Sequence, residues 1–101
     1  MEEIENLTSL VREFAKKRDW EKFHTPKNLA LAIAGEAGEL ASEFQWLTPE
    51  ESTRSGLSDA KMKDVRLEIA DVQIYLLRMA DVLGIDISGA VIEKQIGRAH
   101  V

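Results

Sequence analysis

Apolar residues recur along this chain at helical spacing. Ile4, Leu7, Val11 and Phe14 follow one another at intervals of three, four and three, which predicts an amphipathic helix over residues 3–18. Residues 18–27, RDWEKFHTPK, break the pattern with two aromatic rings and a histidine. Thr25-Pro26 reads as a helix cap followed by a first-turn proline. Leu29, Ile33, Leu40, Phe44 and Leu47 then share one stripe, which predicts a second helix over residues 26–47. Thr48 and Glu51 stand at capping-box spacing around Pro49, so a short helix is expected there, stopped near Gly56. Ser58 caps a third long helix that ends near Leu83 with Gly84 as its stop, and Asp86 opens a fourth from about residue 87. No segment alternates with period two and β-branched residues do not cluster. The fold class is therefore all-α.

The third helix carries a second message. Over residues 69–83, eleven of fifteen positions are apolar, and they cover the whole circumference. A helix that is apolar all round has to be covered all round. Three other helices of this size barely suffice, so the pattern predicts self-association.

Composition narrows the class. The chain has 101 residues, enough for one domain, and no cysteine. That excludes a disulfide scaffold, a zinc finger, an iron–sulfur site and a thiol nucleophile. A net charge of −5 disfavours binding to a nucleic-acid polymer, which needs a dense basic face. It leaves room for a small anionic ligand whose charge a metal neutralises. The acidic start, Met1-Glu2-Glu3-Ile4-Glu5, lacks the basic-then-apolar character of a signal peptide, and no apolar run is long enough to span a bilayer. A cytoplasmic location, with no membrane partner, is the resulting expectation.

The acidic residues are not scattered. Glu36 and Glu39 on the second helix, and Glu68 and Asp71 on the third, are two pairs at i, i+3, and each pair shares a helix face. At about 100° per residue, Glu36 and Glu39 fall on or beside the apolar stripe of their helix, and Glu68 and Asp71 on or beside that of theirs. Both pairs thus border the faces that pack. The residues between Glu39 and Glu68 suffice for the second helix to end and the third to return antiparallel to it. Four converging carboxylates stay ionised together only with compensating cations. Oxygen-only ligands select hard cations, so Mg²⁺ or Mn²⁺ is the expected cofactor, completed by substrate phosphates. This points to phosphate-ester or phosphoanhydride chemistry. Trp20, Phe23, Trp46 and Tyr75 lie near the acids or the helix ends; as residues alone they either plug the bundle or stack on a base.

The strings Arg18–Leu29 (RDWEKFHTPKNL), Gly35–Leu40 (GEAGEL), Phe44-Gln45-Trp46, Glu68–Val72 (EIADV) and Ile74-Tyr75-Leu76 closely resemble the MazG-like nucleoside triphosphate pyrophosphohydrolases, in their compact dCTP-pyrophosphatase-like branch. The resemblance covers residues 4 to about 94. It implies an antiparallel four-helix bundle assembled as a homodimer or homotetramer, and Mg²⁺-dependent hydrolysis of a (deoxy)nucleoside triphosphate to the monophosphate and pyrophosphate. It implies that Glu36, Glu39, Glu68 and Asp71 ligate the metal, with Glu36 or Glu39 acting on the attacking water. It further implies that Trp20 and Trp46 wall a base pocket, that His24 and Asn28 are polar contacts near it, that Tyr75 approaches the sugar, and that Lys94 meets the phosphates.

The chain departs from that pattern in two places that bear on the preferred base. Val11 stands where dCTP-preferring members carry a histidine, and the tail expected after Lys94, K-x-x-x-N-x-x-[K/R]-Y-P, is replaced by Gln95–Val101 (QIGRAHV). The last six residues, IGRAHV, equal one reading frame of the sequencing-adapter sequence ATCGGAAGAGCACACGTC. The expectation is therefore a helical domain over residues 1–95 and a non-native tail over residues 96–101. Two other functions compete: a non-enzymatic, self-associating helical adaptor, and a carboxylate-bridged di-metal protein. The second is suggested by the single Glu21-x-x-His24, where such bundles use two Glu-x-x-His motifs.

Overall fold

The computed structural model describes residues 2–99, and side chains as far as residue 97. It contains α1 (Glu2–Lys17), a 3-10 turn at Glu21–Phe23, α2 (Pro26–Ser42), α3 (Asp59–Leu83) and α4 (Ile87–Ala99). There is no strand among the described residues, and none of the helices is long and apolar enough to cross a membrane.

The ends of the helices follow from local chemistry. α1 has acids in its first turn and Lys16 and Lys17 in its last, which complements the helix dipole. It stops where Asp19 turns left-handed, φ 55°. The Trp20 N–H then reaches back to the Ala15 carbonyl at 2.9 Å and the Asp19 N–H to that of Lys16 at 3.1 Å, a Schellman closure. This folds Trp20 edge-on against Phe14, with ring centroids 5.6 Å apart. Thr25 caps α2 by accepting from the Asn28 N–H at 3.2 Å, and Ser58 caps α3 by accepting from the Lys61 N–H at 3.1 Å. Gly84, φ 70°, ends α3.

The second helix is shorter than its apolar stripe predicts. It ends at Ser42 rather than near Leu47. The Ser42 hydroxyl donates to the Glu39 carbonyl, and the Glu43 and Phe44 N–H groups bond three residues back rather than four, which tightens the chain into turns. Thr48, ahead of a proline, is steered away from helical dihedrals. Phe44 and Leu47 stay half-buried in these turns, so the stripe continues without the helix. The expected short helix after Thr48 is also absent. The capping box itself forms: the Thr48 N–H donates to Glu51 Oε1 at 2.8 Å and the Glu51 N–H to Thr48 Oγ1 at 3.2 Å. The hydroxyls of Ser52 and Thr53 then donate to the carbonyls of Pro49 and Glu50, and the segment closes as turns. Gly56 is needed there, because a Cβ would sit 2.5 Å from the Glu50 carbonyl oxygen.

α3 is the central element. It packs most extensively on α2 and next on α1. Lys61 at its start reaches Glu43 just after α2, and Arg78 near its end reaches His24 just before α2. Leu29 and Leu77 are fully buried, and Ala15, Val65 and Ala80 are buried as well. The expected packing of all four helices into one bundle is not completed within the chain, because α4 makes little contact with the other three. The radius of gyration is 16.0 Å, against about 13 Å for a compact domain of this length. α4 itself continues through residues 96–99, while His100 and Val101, the last two residues of the expected non-native tail, lie outside the described residues.

Candidate functional site

Glu36 on α2 and Glu68 and Asp71 on α3 each place one carboxylate oxygen so that all three lie within 4.8 Å of one another. The i, i+3 spacing puts Glu68 and Asp71 on one face of α3, and the packing of α2 on α3 brings Glu36 to them. All three are partly buried. Glu68 Oε2 is buried and has no hydrogen-bond partner. Burial pushes the Glu68 carboxyl above the usual carboxylate range, and the negative charges of Asp71, Glu36, Glu39 and Glu43 add to the effect. Glu39 sits one turn along α2, exposed, and contributes to that field without joining the close cluster. Lys61 pairs with Glu43 at 3.0 Å, whereas no lysine or arginine among the described residues pairs with Glu36, Glu39, Glu68 or Asp71. A buried, unpartnered oxygen inside a cluster of carboxylates fits a hard divalent cation.

A cavity of about 370 Å³ opens beside this cluster. Glu36 and Asp71 line it, together with Trp20, His24, Tyr75 and Arg78, and its apolar wall comes from α1 (Leu10, Val11, Phe14, Ala15) and from Ile74. Asp71, Tyr75 and Arg78 stand at i, i+4 and i+7, on one face of α3. Trp20 is held by Phe14 and lies 6.4 Å from the His24 ring, centroid to centroid. His24 Nδ1 accepts from Arg78 Nε at 3.1 Å. Burial first, and then the Arg78 charge, lower the His24 pKa, partly opposed by Glu21. Arg78 Nη1 donates to Asp81 Oδ2 at 3.1 Å. Asp81 in turn takes a two-pronged contact from Arg12 on α1, at 2.8 and 2.7 Å. The Arg12 hydrogen bonds hold the Asp81 carboxyl below the usual range.

The structure thus gathers Glu36, Asp71, Trp20, His24 and Tyr75 around one cavity, with Glu68 joined to Glu36 and Asp71 in the acid cluster. Three other residues named from the sequence are elsewhere. The Asn28 side chain donates to the Phe23 carbonyl at 3.1 Å and pins the 3-10 turn. Trp46 is 85% exposed in the turns after α2. Lys94 is exposed on α4, apart from the cavity. Glu21, the partner of His24 in the Glu-x-x-His motif, is exposed and outside the acid cluster. Arg78 was not singled out from the sequence. Its signal was there: one cation in a run of apolar residues, two turns beyond Asp71 on the same face.

A family model described as MazG-like matches residues 31–99, a stretch that holds both acid pairs. Human dCTP pyrophosphatase 1 is 44% identical over 91 residues, covering 90% of this chain and 54% of that protein. The bovine protein of the same name is 42% identical over the same extent. The chain spans about half the length of the curated relatives it matches. Among solved structures, a pyrophosphatase from Archaeoglobus fulgidus has a TM-score of 0.88 at 40% identity, covering 97% of this chain and 90% of that one. The carboxylate cluster, the helical fold and the match over most of the chain agree: this chain belongs to the MazG-like family.

Proposed function

We propose that this protein hydrolyses a (deoxy)nucleoside triphosphate to the monophosphate and pyrophosphate, in the cytoplasm and with Mg²⁺. The observation that carries the reading is the cluster of Glu36, Glu68 and Asp71 with its unpartnered buried oxygen, opening onto a cavity with aromatic walls. The names of the relatives support the same chemistry. Glu36, Glu68 and Asp71 would hold the metal, with Glu39 completing its shell or, like Glu36, taking the proton of the attacking water. When bound, Mg²⁺ supplies a Lewis acid for the phosphate oxygens and favours ionisation of water. Trp20 and Tyr75 face the base and sugar, since aromatic rings in a cavity of this size stack on flat heterocycles.

The working unit is an oligomer, most simply a dimer in which a second copy completes an antiparallel four-helix bundle. The chain exposes 7668 Å², against about 5,700 Å² for a compact monomer of its mass. Leu10, Leu31, Ile69, Val91 and Ile92 are each more than half exposed. In such an assembly Trp46 and Lys94, remote from the cavity of their own chain, serve the pocket of a partner.

The test is release of pyrophosphate, rather than phosphate, from a panel of nucleoside triphosphates with and without Mg²⁺. Asp71→Asn should lower turnover at least a hundredfold while the circular dichroism stays helical. Absence of Mg²⁺-dependent pyrophosphate release from every nucleotide, with the oligomer intact, would favour the adaptor.

A further inference from the structure

The cavity has two chemically distinct regions. Carboxylates mark one, and Arg78, His24 and Trp20 mark the other. Asp71 and Arg78 are seven residues apart on α3, about 10 Å at a helical rise of 1.5 Å per residue. That matches the reach of a single nucleotide unit from its phosphate to the outer edge of its base.

The second region offers hydrogen-bond donors. A guanidinium carries five N–H groups and no acceptor. The Arg78 side chain is only 7% exposed, so it sits in the cavity wall rather than in bulk water. Its Nε is engaged by His24 and its Nη1 by Asp81, and no protein group among the described residues accepts from Nη2. His24 is fixed as well. Its Nδ1 is the acceptor for Arg78, so in the neutral ring the hydrogen is on Nε2, which makes that nitrogen a donor. The lowered His24 pKa agrees with a neutral ring at pH 7. The indole of Trp20 is also donor-only. The remaining wall on the α1 side (Leu10, Val11, Phe14) is apolar and supplies no side-chain acceptor.

We infer that Arg78, with His24, selects the base. The pair favours a base whose outer edge presents acceptors, such as the 4-carbonyl of uracil or thymine, over one that presents an exocyclic amine there, such as cytosine. This rests on the nucleotide reading of the site. The substituent opposite the glycosidic nitrogen is the one that reaches Arg78 and His24: there the 4-amine of cytosine sets donor against donor, whereas the 4-carbonyl of uracil accepts, and a polar group left unpaired discriminates strongly. Asp81 and Arg12 act behind Arg78 as positioning residues, since they touch the guanidinium or its partner and not the cavity region beside the base.

dUMP and dCMP form the matched pair for the test, because they differ at the 4-position, an acceptor in uracil and a donor in cytosine, and at the ring nitrogen beside it, where the roles are reversed, so a preference for dUMP reports the 4-position. Titration of the whole chain with each, followed by calorimetry in Mg²⁺, should show dUMP binding roughly tenfold or more tighter. Arg78→Met keeps the length of the side chain and removes its donors. It should bring the two nucleotides close to parity, chiefly by weakening dUMP. Equal binding by the wild-type chain, or a preference for dCMP, overturns the inference whatever the variant does. Equal weakening of both nucleotides by Arg78→Met also overturns it, since the arginine would then be a phosphate contact. If the variant fails to fold, ¹⁵N spectra of wild-type His24 decide: a protonated Nε2 that shifts with dUMP and not with dCMP upholds the inference, and an Nδ1–H tautomer overturns it. Pyrophosphate release is measured alongside. Uracil preference without release would uphold the selection and sink the pyrophosphohydrolase reading, whereas release without base preference would do the reverse.

Discussion

Asp81 ties α1 to α3, and replacing it by asparagine should cost more than any other change of one surface-proximal carboxylate. The Asp81 carboxylate accepts two bonds from Arg12 and one from Arg78, at 2.7 to 3.1 Å, with its side chain 17% exposed. The two arginines are not equivalent. Arg12 is 45% exposed and is rehydrated easily when its partner is lost, whereas Arg78 is 7% exposed and is left as a buried cation facing an amide. A charged hydrogen bond contributes about 1.5–3 kcal/mol, and orphaning a buried ion costs about 3–5 kcal/mol. Partial exposure trims the second figure, so Asp81→Asn should destabilise by about 2–4 kcal/mol at pH 7. For a domain of this size that lowers the melting temperature by roughly 10–25 °C. The assay is urea and thermal unfolding at fixed protein concentration, with Arg12→Met as the comparison, expected to lose less. The pH dependence gives a second reading. The Asp81 pKa is depressed in the folded state. Its contribution is complete above the unfolded carboxylate value and is lost as pH falls through the lower folded one. The gap between wild type and Asp81→Asn should therefore close progressively below about pH 4. A loss under about 1 kcal/mol at pH 7, or a gap unchanged at pH 3, would refute the idea that this carboxylate compensates a buried arginine.

Other expectations follow from individual positions. Asp19 holds a left-handed φ of 55° at the end of α1, so Asp19→Gly should stabilise by about 1 kcal/mol in urea unfolding; a loss would mean that its ion pair with Lys22 outweighs the backbone term. Gly56→Ala should destabilise by about 1–3 kcal/mol, because the new Cβ meets the Glu50 and Glu51 carbonyls at 2.5 and 2.8 Å. Glu68→Gln removes a carboxylate whose folded pKa is raised by burial and by its neighbours. At neutral pH it should melt higher than wild type without metal and lose the upward shift expected of the wild type on adding Mg²⁺, and a metal-free variant that melts lower would contradict the crowded-charge reading.

The fold was legible where one signal dominates. Ser58 and Gly84 delimit α3 at the two ends the sequence assigns, because a cap hydroxyl and a left-handed glycine act within one turn of chain. Residues 43–57 were not legible, because the apolar spacing of Phe44 and Leu47 is compatible with helix and with tight turns alike. The hydroxyls of Ser42, Ser52 and Thr53 decided it. Glu36, Glu68 and Asp71 could be placed at packing edges from angle alone, yet their convergence depends on how α2 seats on α3, which no local pattern contains. Arg78 shows the opposite case. Its face on α3 was computable from Asp71, but its partners His24 and Asp81 come from the tertiary arrangement and from one turn further on.

The distribution of residues on α3 links the site to assembly. Asp71, Tyr75 and Arg78 face the cavity. Ile69, Leu76 and Leu83, at seven-residue spacing, lie about 120–160° away around the helix at 100° per residue, and they are 54%, 40% and 48% exposed. A seven-residue apolar stripe is the pattern with which one helix seats against another. The helix that carries two of the three clustered acids and the base-facing arginine therefore has its back uncovered in a single chain. Uncovering that stripe leaves α3 free to shift, and a displacement of the order of 1 Å between Asp71 and Glu36 is enough to spoil a metal site. Turnover per chain should then fall on dilution over the same concentration range in which light scattering shows the oligomer dissociating. Leu76→Glu should move both transitions to higher concentration together. Turnover that stays constant through dissociation would show that one chain alone holds its acids in place.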